Sequence, residues 1–189
     1  MADDTDPRVA RTRAAVLEAT RDLLVEIGIE RTGIEAVSDR SGVARSTIYR
    51  HWDGKASLVL EALNAISDTT EDISTGDALT DLRAMVRGLG VKLRSEWSAA
   101  LGEVQAGAER DPELATLHEA FVTAKRKASA RLIGVLQEAG VIRDDLDPLV
   151  VGEIVVGRLF YRRFVMLRPM SDEEVDDHLD LVFDLFTPR

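Results

Sequence analysis

Apolar residues recur every three or four positions through almost the whole chain, and no stretch alternates with the period of two that a strand requires. From Val9 onward, Val16, Leu17, Thr20, Leu23, Leu24 and Ile27 form the stripe of an amphipathic helix, which Gly28 closes as a C′ residue. Ile34 to Arg40 reads as a short helix, Ser41-Gly42-Val43 as a turn, and Ala44 to Trp52 as a second short helix. Asp53-Gly54 then breaks the chain before a helix running from Lys55 to about Thr70. The polar stretch SDTTEDISTGDALT, residues 67–80, ends that helix. Further helices are expected over Ala78–Ala100, Leu101–Glu109, Pro112–Ala139, Pro148–Leu167 and Ser171–Phe186. The pattern predicts an all-α protein of about nine helices.

Composition narrows the function. A chain of 189 residues, 45% hydrophobic and 31% charged, suits one or two globular units with a sizeable core. The absence of cysteine excludes disulfides, thiolate zinc sites and a cysteine nucleophile. MADDTDPR is acidic and lacks the apolar core of a secretion signal. The most apolar stretch, Pro148 to Gly157, is interrupted by Glu153 and is far too short to span a bilayer. No membrane association is expected, and the expected location is cytoplasmic. The formal net charge is −10, but residues 7–58 hold 9 basic and 7 acidic side chains, a net of +2. The acidity lies almost entirely in the last two thirds, so the N-terminal part can still face a polyanion.

That N-terminal part contains GVARSTIYRHWDGK, residues 42–55. Two short helices joined by a tight glycine turn are the outline of a helix-turn-helix. Val37, Val43 and Ile48 fill the space between the helices, leaving Arg45, Ser46, Thr47, Tyr49 and Arg50 to face outward. Cations reach base edges or phosphates, and hydroxyls bond phosphate oxygens. Lys55 adds a cation at the start of the next helix, where free N–H groups already favour an anion. An ordinary surface helix pair with solvated charges fits this short pattern equally well.

The longer segment from Arg11 to Leu63 closely resembles the N-terminal domain of TetR-family transcriptional regulators. The likeness runs through the helix ending in Gly28, Gly42-Val43, Thr47-Ile48-Tyr49 and His51-Trp52…Lys55. It implies a DNA-binding domain over residues 8–66, with the helix-turn-helix at 33–52, and an effector-binding and dimerisation domain over 67–189. It further implies a homodimeric regulator, most often a repressor, that binds a palindromic double-stranded DNA operator and is released by a small-molecule effector. The resemblance assigns base reading to Arg45, with Ser46 beside it, and phosphate contacts to Thr47, Tyr49, His51 and Lys55. Arg50 is either a second phosphate contact or a solvated cation. The chain departs from the family at Gly33, where threonine is usual, and at Ala44, where Ser or Thr commonly caps the recognition helix. Ser38 and Ser41 replace alanines, and Trp52 replaces a phenylalanine and is expected to pack on Leu24, Ile27 and Leu58.

In the rest of the chain, Leu149 to Leu167 is apolar nearly all round, so it needs cover on two sides. In the last helix Val175, Leu179, Val182 and Phe186 line one face, and Leu181 and Leu185 extend another. A second copy supplying the same two helices would cover both as a four-helix bundle. Met85, Leu89, Trp97, Leu101, Phe121, Phe160 and Phe164 are candidates to line an apolar effector site, though each also reads as plain core. Glu96, Glu103, Glu109 and Glu119 suit either a cationic ligand or a solvated face. His118 and His178 lack partners at metal-ligand spacing, so neither a metal nor a cofactor is expected. No G-x-S-x-G, G-x-x-x-x-G-K or H-E-x-x-H motif occurs, so an enzyme is not expected. The rival reading is a small-molecule or partner-binding helical protein with a vestigial DNA-binding domain.

Overall fold

The computed structural model describes residues 7–67 and 75–188, with all their side chains except those of 65–67 and Trp97. Nine α-helices and no strand occur among the described residues. They are α1 (Pro7–Arg31), α2 (Ile34–Ser41), α3 (Arg45–His51), α4 (Lys55–Ser67), α5 (Ala78–Arg94), α6 (Trp97–Ala108), α7 (Pro112–Glu138), α8 (Pro148–Phe160) and α9 (Asp172–Phe186). The expected continuation of α4 to Thr70, and residues 68–74 of the polar stretch, lie outside the described residues. Among the described residues no helix is long and apolar enough to cross a membrane.

Two compact units emerge. The first joins the segment ending at Ser67 to Ala99–Phe121, and the second joins the segment ending at Ser98 to the chain from Val122 onward.

In the first unit the stripe of α1 turns Val16, Thr20, Leu23 and Leu24 into the interior. Gly28 does not act as a simple left-handed cap. Its φ of 75° and ψ of 171° kink the chain, after which a further helical turn forms. The N–H and hydroxyl of Thr32 both donate to the Gly28 carbonyl, at 3.2 and 2.8 Å, and close that turn. Ile29, 4% exposed, thereby takes the inward place expected of Ile27, which is 36% exposed at the end of the stripe.

In the second unit α5 and α9 are tied by ion pairs: Arg83 with Asp180 at 2.6 Å, Arg87 with Asp176, and Arg94 with Asp172. Val175, Leu179, Val182 and Phe186 are the buried face of α9. A capping box starts α9: Ser171 Oγ accepts from the Glu174 N–H, and Glu174 accepts from the Ser171 N–H.

Two expected breaks move. The break after α5 falls at Ser95-Glu96 rather than at Ala100-Leu101. There the Ser95 hydroxyl donates to the Lys92 carbonyl at 2.7 Å and the Ser98 N–H to the Ser95 carbonyl at 3.1 Å, so serine ends one helix and starts the next. The α8 pattern does not continue to Leu167 as α-helix. It widens at Tyr161–Val165 into a π turn, closed by the Met166 N–H on the Tyr161 carbonyl at 3.1 Å. Leu167 then adopts a positive φ of 53°.

Candidate nucleic-acid interface

The first unit builds a rigid frame under one short helix. Gly42 ends α2 in the left-handed region, φ 69°, and its N–H donates to the Ser38 carbonyl at 3.0 Å. The two serines that replace alanines bracket this turn: Ser38 Oγ donates to the Val43 carbonyl at 2.8 Å, and the Val43 N–H donates to Ser41 Oγ at 3.2 Å. Their hydroxyls supply local partners to a turn backbone that helix hydrogen bonds leave unpaired.

On α3 the inward residue is Ile48, fully buried with Val16, Leu23, Val37, Trp52 and Leu58. Trp52 meets Leu58 as expected, but the interior cluster around it does not include Leu24, and Ile27 is exposed. Its indole is fixed instead by polar contacts. Nε1 donates to Glu61 at 2.8 Å, Glu61 pairs with Arg13, and the Arg13 guanidinium lies 5.2 Å from the Trp52 ring centroid. This anchor was illegible in the sequence, because Arg13, Trp52 and Glu61 converge only when α1 and α4 pack.

With Ile48 and Trp52 inside, helical geometry points Arg45, Ser46, Tyr49 and Arg50 outward. All four are exposed, Tyr49 by 57%, while Thr47 and His51 are half-buried at the rim. His51 meets Trp52 edge-on, with ring centroids 5.7 Å apart. Ala44 and Gly33 precede α3 and α2 without any side-chain cap bond, so both helix starts keep free N–H groups. Arg45 is ion-paired with Glu35 of α2, both side chains being more than half exposed. Such a surface pair is worth at most about 1 kcal/mol and exchanges readily for another anion. Lys55 is half-buried, and its Nζ donates to the Glu30 carbonyl at 3.2 Å. Burial lowers its pKa, against the opposing pull of Asp111 and Glu30.

The effector candidates divide between the units. Leu101 is buried and Phe121 half-buried in the first, whereas Met85, Leu89, Phe160 and Phe164 are half-buried in the second. Phe160 and Phe164 stack, with centroids 6.0 Å apart. The side chain of Trp97 lies outside the described residues. Glu96, Glu103, Glu109 and Glu119 are all exposed, as a solvated face requires. His178 is buried and its Nε2 lies 2.9 Å from the Val155 carbonyl. No group of three or more metal-ligating side chains occurs among the described residues.

A short outward-facing basic helix, reached through a hydroxyl-braced glycine turn, defines a helix-turn-helix DNA-binding protein. Residues 16–62 match the bacterial regulatory proteins of the tetR family, and residues 72–182 match the tetracyclin repressor-like C-terminal domain. The chain belongs to the TetR family of transcriptional regulators. It is 28% identical over 185 residues to an uncharacterized HTH-type transcriptional regulator, YdeS of Bacillus subtilis, covering 95% of this chain and 90% of that one. Over 73 residues, 38% of each chain, it is 36% identical to the DNA-binding transcriptional repressor TetR of Mycobacteroides abscessus. The crystal structure of the TetR family transcription regulator SCO0332 superposes with a TM-score of 0.74 at 29% identity, covering 94% of this chain and all of that one. Proteins of this family are transcriptional regulators, not enzymes.

Proposed function

We propose that the protein is a ligand-responsive repressor that works in the cytoplasm and binds a palindromic operator as a homodimer. The observation that carries this is the outward row of α3, set on a fully buried Ile48 in a segment, residues 7–58, that is net basic within a chain of net charge −10. Residues 8–66 serve DNA binding, and 67–189 serve effector binding and dimerisation. Arg45 reads a base edge, exchanging Glu35 for a guanine, with Ser46 beside it. Thr47, Tyr49, Arg50 and His51 hold phosphates. Lys55 joins them when its ammonium leaves the Glu30 carbonyl. Repression is the mode named for the Mycobacteroides abscessus relative, which is matched over 38% of each chain.

The exposed apolar residues of the last two helices support the dimer. Val150, Ile154, Tyr161 and Val165 lie along one side of α8 and its π turn, and Leu181 and Leu185 lie on α9, all facing water in one copy. Two-fold pairing covers both rows at once and supplies two α3 helices, one for each operator half-site. An effector acts by favouring a dimer whose two α3 helices do not fit successive major grooves. The effector site draws on Met85, Leu89, Phe160 and Phe164 of the second unit.

Binding isotherms on operator and scrambled duplex, at several salt concentrations, test the assignment. Arg45→Ala should cost about 1–3 kcal/mol on the operator and relax preference at one position per half-site. Lys55→Ala should weaken both duplexes alike and reduce the salt slope by about 1 per protomer. Tyr49→Phe should lose affinity at unchanged slope. Identical profiles for the Arg45 and Lys55 variants would refute the division of roles.

A further inference from the structure

Arg163 is a cation that its own unit holds half-buried without a counter-charge. Arg83, Arg87, Arg94, Arg126, Arg143 and Arg162 of the same unit each pair with a carboxylate. Arg131, Arg158 and Arg168 are exposed to water. Arg163 has neither solution: it is part-buried, and among the described residues its guanidinium meets no carboxylate. Its Nε donates to Ser98 Oγ at 2.8 Å, and its Cζ lies 5.4 Å from the Phe164 ring centroid.

The Ser98 contact fixes the orientation. Ser98 is 1% exposed, and its hydroxyl proton is already committed to the Ser95 carbonyl at 2.8 Å, so its oxygen is left to accept. With Nε spent there, the two terminal nitrogens of Arg163 keep their N–H groups for a fork that matches a carboxylate. An unpaired cation partly removed from water is costly, and this protein has carboxylates to spare elsewhere on its surface. Phe164 stacks on Phe160, so the cation sits at the end of an aromatic pair. The π turn of 161–165 carries Arg163 and Phe164, and such turns are frequent at functional sites.

We propose that Arg163 anchors an effector carrying a carboxylate on an apolar body, with the carboxylate on the guanidinium fork and the body against Phe160 and Phe164. The inference rests on the reading of residues 67–189 as an effector-binding domain. It gives that domain a ligand class: aryl or alkyl carboxylic acids, not amines.

The test uses the full-length protein and matched probes: benzoate, 3-phenylpropionate and octanoate against 3-phenylpropionamide and 3-phenylpropylamine. The carboxylates should raise the melting temperature and give calorimetric binding, while the amide and amine do neither. Arg163→Gln should weaken carboxylate binding about tenfold or more. Arg163→Lys, which keeps charge but not the fork, should fall between. If Arg163→Gln does not fold, Arg163→Lys and Ser98→Ala carry the comparison. Equal binding of amide and carboxylate, carboxylate binding indifferent to Arg163, or no response to any carboxylate at millimolar concentration overturns the proposal. So does an Arg163→Gln protein altered only in its monomer–dimer equilibrium, which would make a second copy the source of the counter-charge. Carboxylates that bind through Arg163 yet leave DNA affinity unchanged would sink the effector reading and spare the anion site. A compound releasing DNA equally from parent and Arg163→Gln would sink the anion site and spare the effector reading.

Discussion

Replacing Gly42 with alanine isolates the contribution of one backbone angle to the DNA-reading unit. Gly42 sits at φ 69° and ψ 11°, in the left-handed region, where an L side chain costs about 1–2 kcal/mol. A Cβ built there meets nothing within 4 Å, so no steric clash adds to that figure. Alanine also stiffens the unfolded chain, which returns about 0.4–1 kcal/mol to the folded state. The net expectation is a loss of about 1 kcal/mol, or a melting temperature lower by roughly 2–4 °C for a chain of this length. Gly33→Ser provides the opposite sign at a similar site. Gly33 has φ −108° and equally open space, and it precedes α2 without a cap, so serine there should stabilise by a few tenths of a kcal/mol. Urea unfolding followed by circular dichroism measures both. A Gly42→Ala protein as stable as the parent would mean that the left-handed turn is not what joins α2 to α3.

Trp52→Phe should cost about 1–2 kcal/mol in the same assay, because the Nε1 bond to the Glu61 carboxylate is lost while Glu61 keeps Arg13; unchanged stability would remove the indole from the frame of α3. Leu185→Arg, at a residue 62% exposed on α9, should leave each chain folded but shift sedimentation toward monomer, and an intact dimer would count against pairing through the last two helices. Burial holds the His178 pKa below its ordinary 6.5, and the neighbouring Arg158 charge acts in the same direction. The folded state thus prefers neutral imidazole, and this stability is complete above about pH 6.5 and is lost as pH falls from there through the lowered folded value. His118 has the same sign, so His178→Leu should flatten the fall in melting temperature below about pH 6.5 only in part.

Local rules made much of this protein readable. The period of 3.6, the Gly42 turn and the outward set from Arg45 to Arg50 follow from sequence neighbours alone, since a helix fixes which residues share a face. The buried row Val175, Leu179, Val182 and Phe186 and the outward Leu181 and Leu185 of α9 were legible for the same reason. The breaks at Ser95 and at the π turn of Tyr161–Val165 were not, because the apolar pattern runs through both and the change lies in which carbonyl each N–H selects.

What the chain order could not express is who meets whom. Arg13, Trp52 and Glu61 are far apart in sequence and form one anchor only where α1, α3 and α4 meet. Asp172, Asp176 and Asp180 share a face of α9 by their spacing, but only packing brings the arginines of α5 alongside them. Arg163 is one basic letter among 24, and its burial beside Ser98 and Phe164 singles it out. Periodicity determines a face, because it depends only on turns of one helix. Pairing of charges and the desolvation of a cation depend on distances between helices, and tertiary packing alone sets those.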